Sequence, residues 1–228
     1  MAPEAAIPAV VIGASGGIGM ALAEALEQQG HAVRRLGRRT TPGLDLLDEG
    51  SIARAAAEMG PGLRLVLDAT GFLHDARFQP EKSFRQWDPA QMAHSFAINA
   101  TGPALLMKHF LPLLARDGRA IFATLSARVG SIGDNRLGGW ASYRAAKAAL
   151  NQIMRTAAIE VARTKPQAIC VALHPGTVGT ALSGPFAKAG LDVQTPVQSA
   201  SRLLAVLSGL TPAQTGLFLD HHGQPIPF

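Results

Sequence analysis

The start of the chain contains the pattern that most restricts its fold. Residues 7–12 read Ile-Pro-Ala-Val-Val-Ile, a short apolar run typical of a buried parallel strand. A glycine-rich turn at residues 13–19 follows directly, and an amphipathic helix then continues to about Gly30. A strand, a glycine turn and a helix in succession predict a unit of a parallel α/β sheet.

The glycines of this turn indicate a phosphate-binding backbone. Gly13 permits a tight turn, Gly17 lets the backbone approach a pyrophosphate, and Gly19 allows close packing of the helix on the strand. The amino terminus of the helix offers amide donors and a positive dipole to the phosphates. We therefore predict that the turn, with Ser15 and Ile18, binds a dinucleotide; the alternative is a tight turn without a ligand.

The rest of the chain continues the alternation of strands and helices. We expect a third strand before Asp45 and further strands at 32–37, 63–67, 119–126, 167–173 and 216–220. We expect helices at 51–59 with Ser51 as the cap, at 89–114 with a kink near Asn99, at 141–162 and at 196–207. This order predicts one doubly wound parallel sheet with helices on both faces, in a single domain of residues 1–228.

Composition excludes several classes of function. The chain has 47% hydrophobic and 16% charged residues, which is typical of a folded protein. No run of 18 apolar residues is present, so we expect no membrane span. Residues 1–4 lack a signal-type pattern, and Cys170 has no disulfide partner, so we expect a cytoplasmic protein. The net charge of +5 is scattered without a nucleic-acid-binding motif, and we expect neither a nucleic-acid partner nor a bound metal.

The end of the second strand predicts which dinucleotide binds. An acidic residue there binds the ribose 2′-hydroxyl, whereas an arginine accommodates a 2′-phosphate. Gly37 occupies the acidic position and Arg38 follows it, which favours NADPH over NADH. The alternative is an arginine that caps a surface turn. Asp45 and Leu46 are expected near the adenine.

The segment 142–150 contains the only tyrosine of the chain, Tyr143, and a lysine four residues later, Lys147. The segment is rich in Ala and Leu, and on a helix this spacing puts both side chains on one face. A neighbouring cation lowers the pKa of a phenol, which prepares the tyrosine to exchange a proton with a carbonyl or an alcohol. The alternative is an exposed Tyr and Lys on a surface helix.

With these motifs in order, the chain resembles the short-chain dehydrogenase/reductases over essentially its whole length, and within them the C-factor-type and sniffer-type carbonyl reductases. The matching motifs are Gly13-x-x-x-Gly17-Ile18-Gly19, Asn99, Tyr143-x-x-x-Lys147 and Pro175-Gly176-x-Val178-x-Thr180. The resemblance implies a Rossmann-type fold and an NADPH-dependent reductase of a small-molecule carbonyl compound. Tyr143 would be the general acid, and Lys147 would lower its pKa and hold the nicotinamide ribose.

The resemblance also implies roles for neighbouring residues. Asn99 would hold a water that links Lys147 to solvent, and Val178 and Thr180, in the loop that begins Pro175-Gly176, would bind the carboxamide or phosphates of the cofactor. Ala69, Thr70 and Gly71 would lie against the cofactor after a central strand. Pairing through helices 103–116 and 141–162 would give a homodimer or homotetramer.

Two departures from the family pattern concern the site. Residues 68–71 read Asp-Ala-Thr-Gly where the family usually has Asn-Asn-Ala-Gly, so we expect some side-chain hydrogen bonding to be lost. The usual Ser-Ser pair reads Ser126-Ala127, so the serine that orients the substrate carbonyl is replaced by alanine. Ser126 is our preferred candidate for that role; Ser131, twelve residues before Tyr143, and loop backbone amides are the alternatives.

Two hypotheses on function follow. The leading one is reduction of a small or hydrophobic carbonyl compound, under a mobile lid at 181–195 whose apolar residues join Trp140 around the substrate: Leu182, Phe186 and Leu191. The second is a non-catalytic, cofactor-binding signalling protein on the same fold, which Ala127 motivates. A purely structural domain would make every nucleotide motif a coincidence.

Overall fold

A six-stranded parallel sheet forms the centre of the computed structural model, which describes residues 7–186 and 192–228. Its strands are β1 (Pro8–Ile12), β2 (Ala32–Leu36), β3 (Leu65–Asp68), β4 (Ala120–Leu125), β5 (Ala168–His174) and β8 (Phe218–Asp220), in the order β2-β1-β3-β4-β5-β8. Two short strands, β6 (Thr177–Val178) and β7 (Val193–Gln194), pair separately. The order reverses between β1 and β3, which is where a doubly wound sheet opens a ligand crevice at its carboxyl edge.

Helices cover both faces of this sheet, as predicted. They are α1 (Gly17–Gln28), α2 (Glu49–Met59), α3 (Pro89–Phe96), α4 (Gly102–Phe110), α5 (Ala141–Ala162) and α6 (Pro196–Gly209). Alternate residues of β1 enter opposite cores: Val10 and Ile12 pack with α2, α4 and α5, whereas Ala9 and Val11 pack with α1 and α6. The alternation follows from the two-residue period of a strand and makes β1 hydrophobic on both sides.

Two local predictions were wrong. No third strand precedes Asp45; residues 37–44 form a turn with a single bridge between Gly37 and Gly43, because the Thr40 hydroxyl accepts from the Gly37 amide and donates to the Pro42 carbonyl. Ser51 does not cap α2, which begins at Glu49. Its hydroxyl instead donates to the carbonyl of Asp48 within the first turn.

The predicted irregularity near Asn99 is confirmed. Residues 97–101 form a π-helical turn that joins α3 to α4, and Asn99 is fully buried in it. Such insertions widen a helix locally and are frequent at functional sites. Among the residues that the structure describes, no helix has the length and apolarity needed to cross a membrane.

Candidate active site

Gly13 makes the first turn fit between two strand ends. Its backbone has φ +79°, a conformation that side chains rarely adopt, and a Cβ on it would lie 2.9 Å from the carbonyl oxygen of Ala69. The Gly13 amide donates to the Leu36 carbonyl at 2.9 Å. The turn is therefore held between β2 and the loop after β3, and only glycine fits there.

The other two glycines of the motif bring further elements against the turn. A Cβ on Gly19 would collide with the Gly13 carbonyl oxygen, so α1 starts in direct contact with the turn. A Cβ on Gly17 would lie 2.9 Å from Cγ2 of Thr180, which joins the turn to the predicted nicotinamide loop. The Ile18 side chain packs against the core formed by α1 and α6, so only its backbone faces the turn.

A cleft of about 560 Å³ opens at the carboxyl ends of β1, β2 and β3; we call it the β1–β3 cleft. It brings together eight of the residues predicted to bind the cofactor: Gly13, Ser15, Arg38, Asp45, Leu46, Ala69, Thr70 and Gly71. Phe72, His74, Asp75, His94 and Ile98 also line it. A concavity of about 630 Å³ between α4 and α5 contains none of the predicted site residues, so volume alone does not identify the site.

Asp68 keeps a set of side-chain hydrogen bonds at the end of β3, whereas Ala69 has no side chain with which to form one. The Asp68 carboxylate, 1% exposed, accepts hydrogen bonds from the Thr70 amide at 3.0 Å, the Thr70 hydroxyl at 2.5 Å and the Thr124 hydroxyl at 2.6 Å. Burial raises the pKa of this carboxyl, and the three donors oppose that shift. The Asp68 carboxylate therefore ties β3 to Thr124 of β4.

Lys147 is buried under Tyr143 at the edge of the β1–β3 cleft. The ammonium lies 5.8 Å from the centroid of the Tyr143 ring and donates to the Leu125 carbonyl at 2.8 Å. A Cβ on Gly71 would lie 3.9 Å from Nζ, so the cleft wall reaches the lysine. Burial lowers the pKa of Lys147 to about 8, against an attraction to Asp68 that favours the charged form.

The pKa of Tyr143 shifts in the opposite direction to the one predicted from its lysine neighbour. Burial of the phenol raises its pKa above the ordinary value, and no hydrogen bond to the hydroxyl offsets the cost of desolvating a phenolate among the described residues. At neutral pH the phenol is therefore protonated. It is in the state that a proton donor requires.

Asn99 connects the π-helical turn to the loop after β3. Its Oδ1 accepts from the Phe72 amide at 2.9 Å, and its Nδ2 donates to the Phe72 carbonyl at 2.8 Å and to the Ser95 hydroxyl at 3.2 Å. A Cβ on Gly71 would lie 3.7 Å from Oδ1 of Asn99, so Gly71 lies between Asn99 and Lys147. The widened turn and the glycine together bring the amide close to the lysine.

The two candidate serines are both buried, 4% exposed for Ser126 and 1% for Ser131, and they differ in their hydrogen-bond partners. The Ser126 hydroxyl is buried and donates to Oδ1 of Asn151 at 2.7 Å, one helical turn beyond Lys147 and on the far side from Tyr143. Ser131 follows a short 3₁₀ turn at residues 128–130 and accepts from the Asp134 amide at 3.0 Å. Within the described residues the Ser131 hydroxyl proton has no acceptor. The preferred choice of Ser126 is therefore not supported by the geometry.

The loop predicted to lie over the nicotinamide is anchored from outside the cleft. The Pro175 carbonyl accepts from the Ser199 hydroxyl at 3.0 Å and from Nε2 of Gln194 at 3.4 Å. Gly176 adopts φ +82°, and Val178 is buried and pairs with Gln194 as part of β6. Because the Val178 side chain is buried, its backbone is the part that can face a ligand.

Aromatic side chains form a cluster next to Tyr143. Trp140 lies 6.4 Å from Tyr143 and 5.3 Å from Phe186, measured between ring centroids, and Phe186 lies 5.0 Å from His74. Trp140 and Phe186, both predicted to surround the substrate, are therefore in one cluster, and Trp140 is the member next to Tyr143. Leu191, which was predicted to join it, lies outside the described residues.

Several residues around the site were not predicted. Glu81 accepts hydrogen bonds at the start of α5, Ser95 links α5 to Asn99, and Asn151 holds Ser126. The sequence contained one signal for Glu81: no Ser, Thr, Asp or Asn immediately precedes the helix that carries Tyr143, so another segment has to cap it.

Comparisons with known proteins agree with this geometry. A family model described as enoyl-(acyl carrier protein) reductase matches residues 32–206. C-signal of Myxococcus xanthus is 36% identical over 143 residues, which cover 62% of this chain and 81% of that protein. The NADPH-bound carbonyl reductase from chicken fatty liver has a TM-score of 0.86 and 26% identity, with 99% of this chain and 100% of that chain covered.

The carbonyl reductase Sniffer of D. melanogaster superimposes with a TM-score of 0.84 over 98% of this chain and 100% of that chain, at 20% identity, a level that shows the fold alone. The family match extends over most of the chain and includes the helix of Tyr143 and Lys147. The predicted resemblance to the C-factor and sniffer-like branch is confirmed. The chain belongs to the short-chain dehydrogenase/reductase family and is an NAD(P)-dependent oxidoreductase.

Proposed function

We propose that this enzyme reduces a small or hydrophobic aldehyde or ketone with NADPH, and that Tyr143 donates the proton. The observation that carries the proposal is the buried Lys147 ammonium, 5.8 Å from the Tyr143 ring centroid, at the inner end of the β1–β3 cleft. A buried cation beside a protonated phenol, at the edge of a nucleotide-sized cleft, is suited to proton transfer to a carbonyl oxygen.

The residues of the β1–β3 cleft fit a dinucleotide with a 2′-phosphate. A Cβ on Gly37 would meet nothing nearer than Oγ of Ser15 at 3.7 Å, so there is room beside Arg38 where an acidic side chain would otherwise stand. An arginine binds phosphate with its planar fork, and Ser15 offers a further donor. The NADPH in the chicken carbonyl reductase is consistent with this choice.

When bound, NADPH supplies the hydride, and the chain's own residues manage the proton. Tyr143 gives its phenolic proton to the substrate oxygen, and in the reverse direction its phenolate takes a proton from the alcohol. The Lys147 ammonium stabilises the phenolate that forms and holds the nicotinamide ribose. Asn99 keeps a polar path to Lys147 open for reprotonation through water, since its amide fixes the loop at Phe72.

Ser131 is our candidate for orienting the substrate carbonyl. Its hydroxyl proton has no acceptor in the described part of the chain, whereas the Ser126 proton is held by Asn151. The turn before Ser131 packs tightly on α5, because a Cβ on Gly130 would lie 2.8 Å from Cβ of Lys147. This contact holds the loop against the helix that carries Tyr143.

We further propose that residues 1–228 form one cytoplasmic domain that self-associates through α4 and α5. The groove between these helices is lined by charged and polar residues together with the half-buried apolar residues Ala104, Ile153 and Val161. Partly exposed apolar side chains on two neighbouring helices are typical of an interface. Sedimentation of the purified protein distinguishes a dimer or tetramer from a monomer.

The proposal is tested by mixing the purified protein with NADPH and a panel of aldehydes, ketones and quinones. We expect loss of absorbance at 340 nm with at least one member and formation of the matching alcohol. Tight NADPH binding without turnover of any member would contradict the proposal.

A second candidate, a non-catalytic cofactor-binding regulator, is favoured by Ala127, which leaves the usual position of the orienting serine without a hydroxyl. A cellular assay with the Tyr143→Phe variant separates the two functions. If the biological effect persists while NADPH still binds, chemistry is not the function.

A further inference from the structure

The helix that carries Tyr143 has no cap of its own. Trp140 occupies the position before α5 in a left-handed conformation, φ +53°, and makes no side-chain hydrogen bond to the helix amides. Gly138 and Gly139 precede it with φ +63° and +66°. The chain therefore enters α5 through three left-handed residues, and the first amides of the helix need acceptors from elsewhere.

Glu81 supplies those acceptors from the loop between β3 and α3. Its Oε1 accepts from the Ser142 amide at 3.2 Å and also from the Ser142 hydroxyl, and its backbone carbonyl accepts from the Trp140 amide. The side chain is 3% exposed, and the two residues are 61 positions apart. Glu81 thus acts as the N-cap of a helix to which it does not belong.

In the described ranges, no Lys, Arg or His side chain forms an ion pair with Glu81. Its side-chain partners there are the amide and the hydroxyl of Ser142, at the positive end of the α5 dipole. A glutamine would offer the Ser142 amide the same kind of acceptor, whereas an apolar side chain would leave this buried amide unpaired.

The cap is also linked to the opposite wall of the site. The Ser142 carbonyl accepts from the Ser95 hydroxyl at 3.2 Å, and Ser95 in turn accepts from Nδ2 of Asn99 at 3.2 Å. A hydrogen-bonded chain therefore runs from Glu81 through Ser142 and Ser95 to Asn99. It fixes the position of Tyr143, the residue next to Ser142, against the π-helical turn.

The elements around this end of α5 carry other charged or titratable groups, namely Lys147, Arg144, Asp68, His74, His94, Arg128 and His174. Arg144 donates to the carbonyls of Gly138, Gly139 and Val129, Arg128 pairs with Asp134 at 3.0 Å, and Asp68 is held by threonines. Asp68 and Glu81 are the two buried carboxyl groups near this end of α5, and Glu81 is the one that bonds directly to the helix.

Resting on the proposed reductase activity, we propose that Glu81 is a positioning residue for Tyr143: its carboxyl group caps α5 and thereby holds the phenol where it can give its proton to the substrate oxygen. Tyr143 directly follows Ser142, so the bonds from Ser142 to Glu81 fix the backbone that carries the phenol. Ser95 and Asn99 hold the same turn from the opposite wall of the site.

The test compares Glu81→Gln and Glu81→Leu with the wild type in the steady-state kinetics of carbonyl reduction. Glu81→Gln keeps an acceptor for the Ser142 amide, so we expect its kcat to stay within about threefold of the wild type. Glu81→Leu leaves that amide without its acceptor and displaces Tyr143, so we expect kcat to fall about tenfold or more, with KM for NADPH within about twofold because the β1–β3 cleft is untouched. A kcat of Glu81→Leu equal to that of the wild type would overturn the proposal.

Two further variants keep the outcome interpretable. Asp88→Ala removes the side-chain cap of α3, where Asp88 accepts from the Gln91 amide at 2.7 Å, and we expect it to lower thermal stability without lowering kcat. If Glu81→Leu does not fold, Ser95→Ala takes its place, because it removes the hydrogen bond to the Ser142 carbonyl. A kcat of Ser95→Ala equal to that of the wild type would then overturn the proposal. Absence of activity in the wild type would instead reject the proposed function.

Discussion

The two ends of the site are built in different ways. In the β1–β3 cleft the glycine turn is shaped by its backbone: Gly13 fits only because it lacks a side chain, and neighbouring strands hold the turn. At the start of α5 the site is built from side chains, and Ser142, the neighbour of Tyr143, bonds to Glu81 from a segment 61 residues away. A backbone site can be encoded in a few consecutive residues, whereas a side-chain site requires the whole fold.

This difference predicts that substitutions in the β1–β3 cleft impair cofactor binding, whereas substitutions at the start of α5 impair the proton transfer step. Substitutions at the cleft therefore change NADPH affinity. Substitutions of Tyr143 and of the residues that position it change kcat and leave NADPH affinity nearly constant, whereas substitutions of Lys147, which we propose holds the nicotinamide ribose, change both.

The largest effect is expected for Gly13→Ala. The new Cβ would lie 2.9 Å from the Ala69 carbonyl oxygen at φ +79°, so NADPH affinity falls about 100-fold or more. Gly30→Ala is the matched control, because Gly30 has φ +85° and nothing within 4 Å of an added Cβ. It lowers the free energy of unfolding by about 1–2 kcal/mol and leaves affinity unchanged. Fluorescence titration and urea unfolding measure both, and equal affinities for the two variants would contradict the account of the turn.

Arg38→Ala is expected to weaken NADPH binding about 10- to 100-fold and to leave NADH binding unchanged, because a hydrogen bond to a charged group is worth about 1.5–3 kcal/mol. Arg39→Ala removes the neighbouring arginine, which does not line the β1–β3 cleft, and is expected to change affinity less than about twofold. Titration of each variant with both cofactors measures this. Parallel losses for NADPH and NADH would contradict a 2′-phosphate contact.

The pH dependence of reduction tests the α5 end. Burial lowers the pKa of Lys147 to about 8, so the ammonium is present below that pH and is lost above it. We expect kcat/KM to be flat below about pH 8 and to fall about tenfold per unit above it. The residual activity of Lys147→Met should lack this limb. If the wild type and Lys147→Met show the same fall in kcat/KM above pH 8, the fall belongs to a group other than Lys147.

The smallest effect concerns the serines. Ser131→Ala is expected to lower kcat/KM about tenfold by removing one donor to the carbonyl oxygen. Ser126→Ala is expected to lower it less than about twofold and to reduce the free energy of unfolding by about 1 kcal/mol, since the bond to Asn151 is buried. Steady-state kinetics with urea unfolding separates these outcomes, and a larger kinetic loss in Ser126→Ala would restore the original choice.

The elements that the sequence predicted well are those with local signals. The strand β1, the turn at Gly13 and the helix α1 follow one another with no long-range contact needed to recognise them. The π-helical turn at Asn99 was foreseen as a kink because Gly102 and Pro103 interrupt an apolar helical pattern. The sheet class follows from the regular alternation of strands and helices.

The features that sequence reasoning missed depend on contacts between distant residues. A third strand was expected where Thr40 closes a turn with its own hydroxyl. Asp68 looked like a loss of hydrogen bonding because its partner Thr124 lies 56 residues away on β4. Glu81 lies in a polar stretch that resembles a solvated loop, and its burial against Ser142 appears only when α3 and α5 pack together. The predicted lowering of the Tyr143 pKa was wrong for the same reason: the sequence spacing shows that Lys147 is near, but it does not show that the phenol is buried.

The most direct test of the reductase assignment is a single-turnover experiment on enzyme loaded with NADPH. With a carbonyl compound that the panel identifies, absorbance at 340 nm should fall by one NADPH per active site in the wild type. The same step should be slower by about 100-fold or more in Tyr143→Phe, with NADPH affinity unchanged. Equal rates in the two proteins would show that Tyr143 is not the proton donor and would contradict the account.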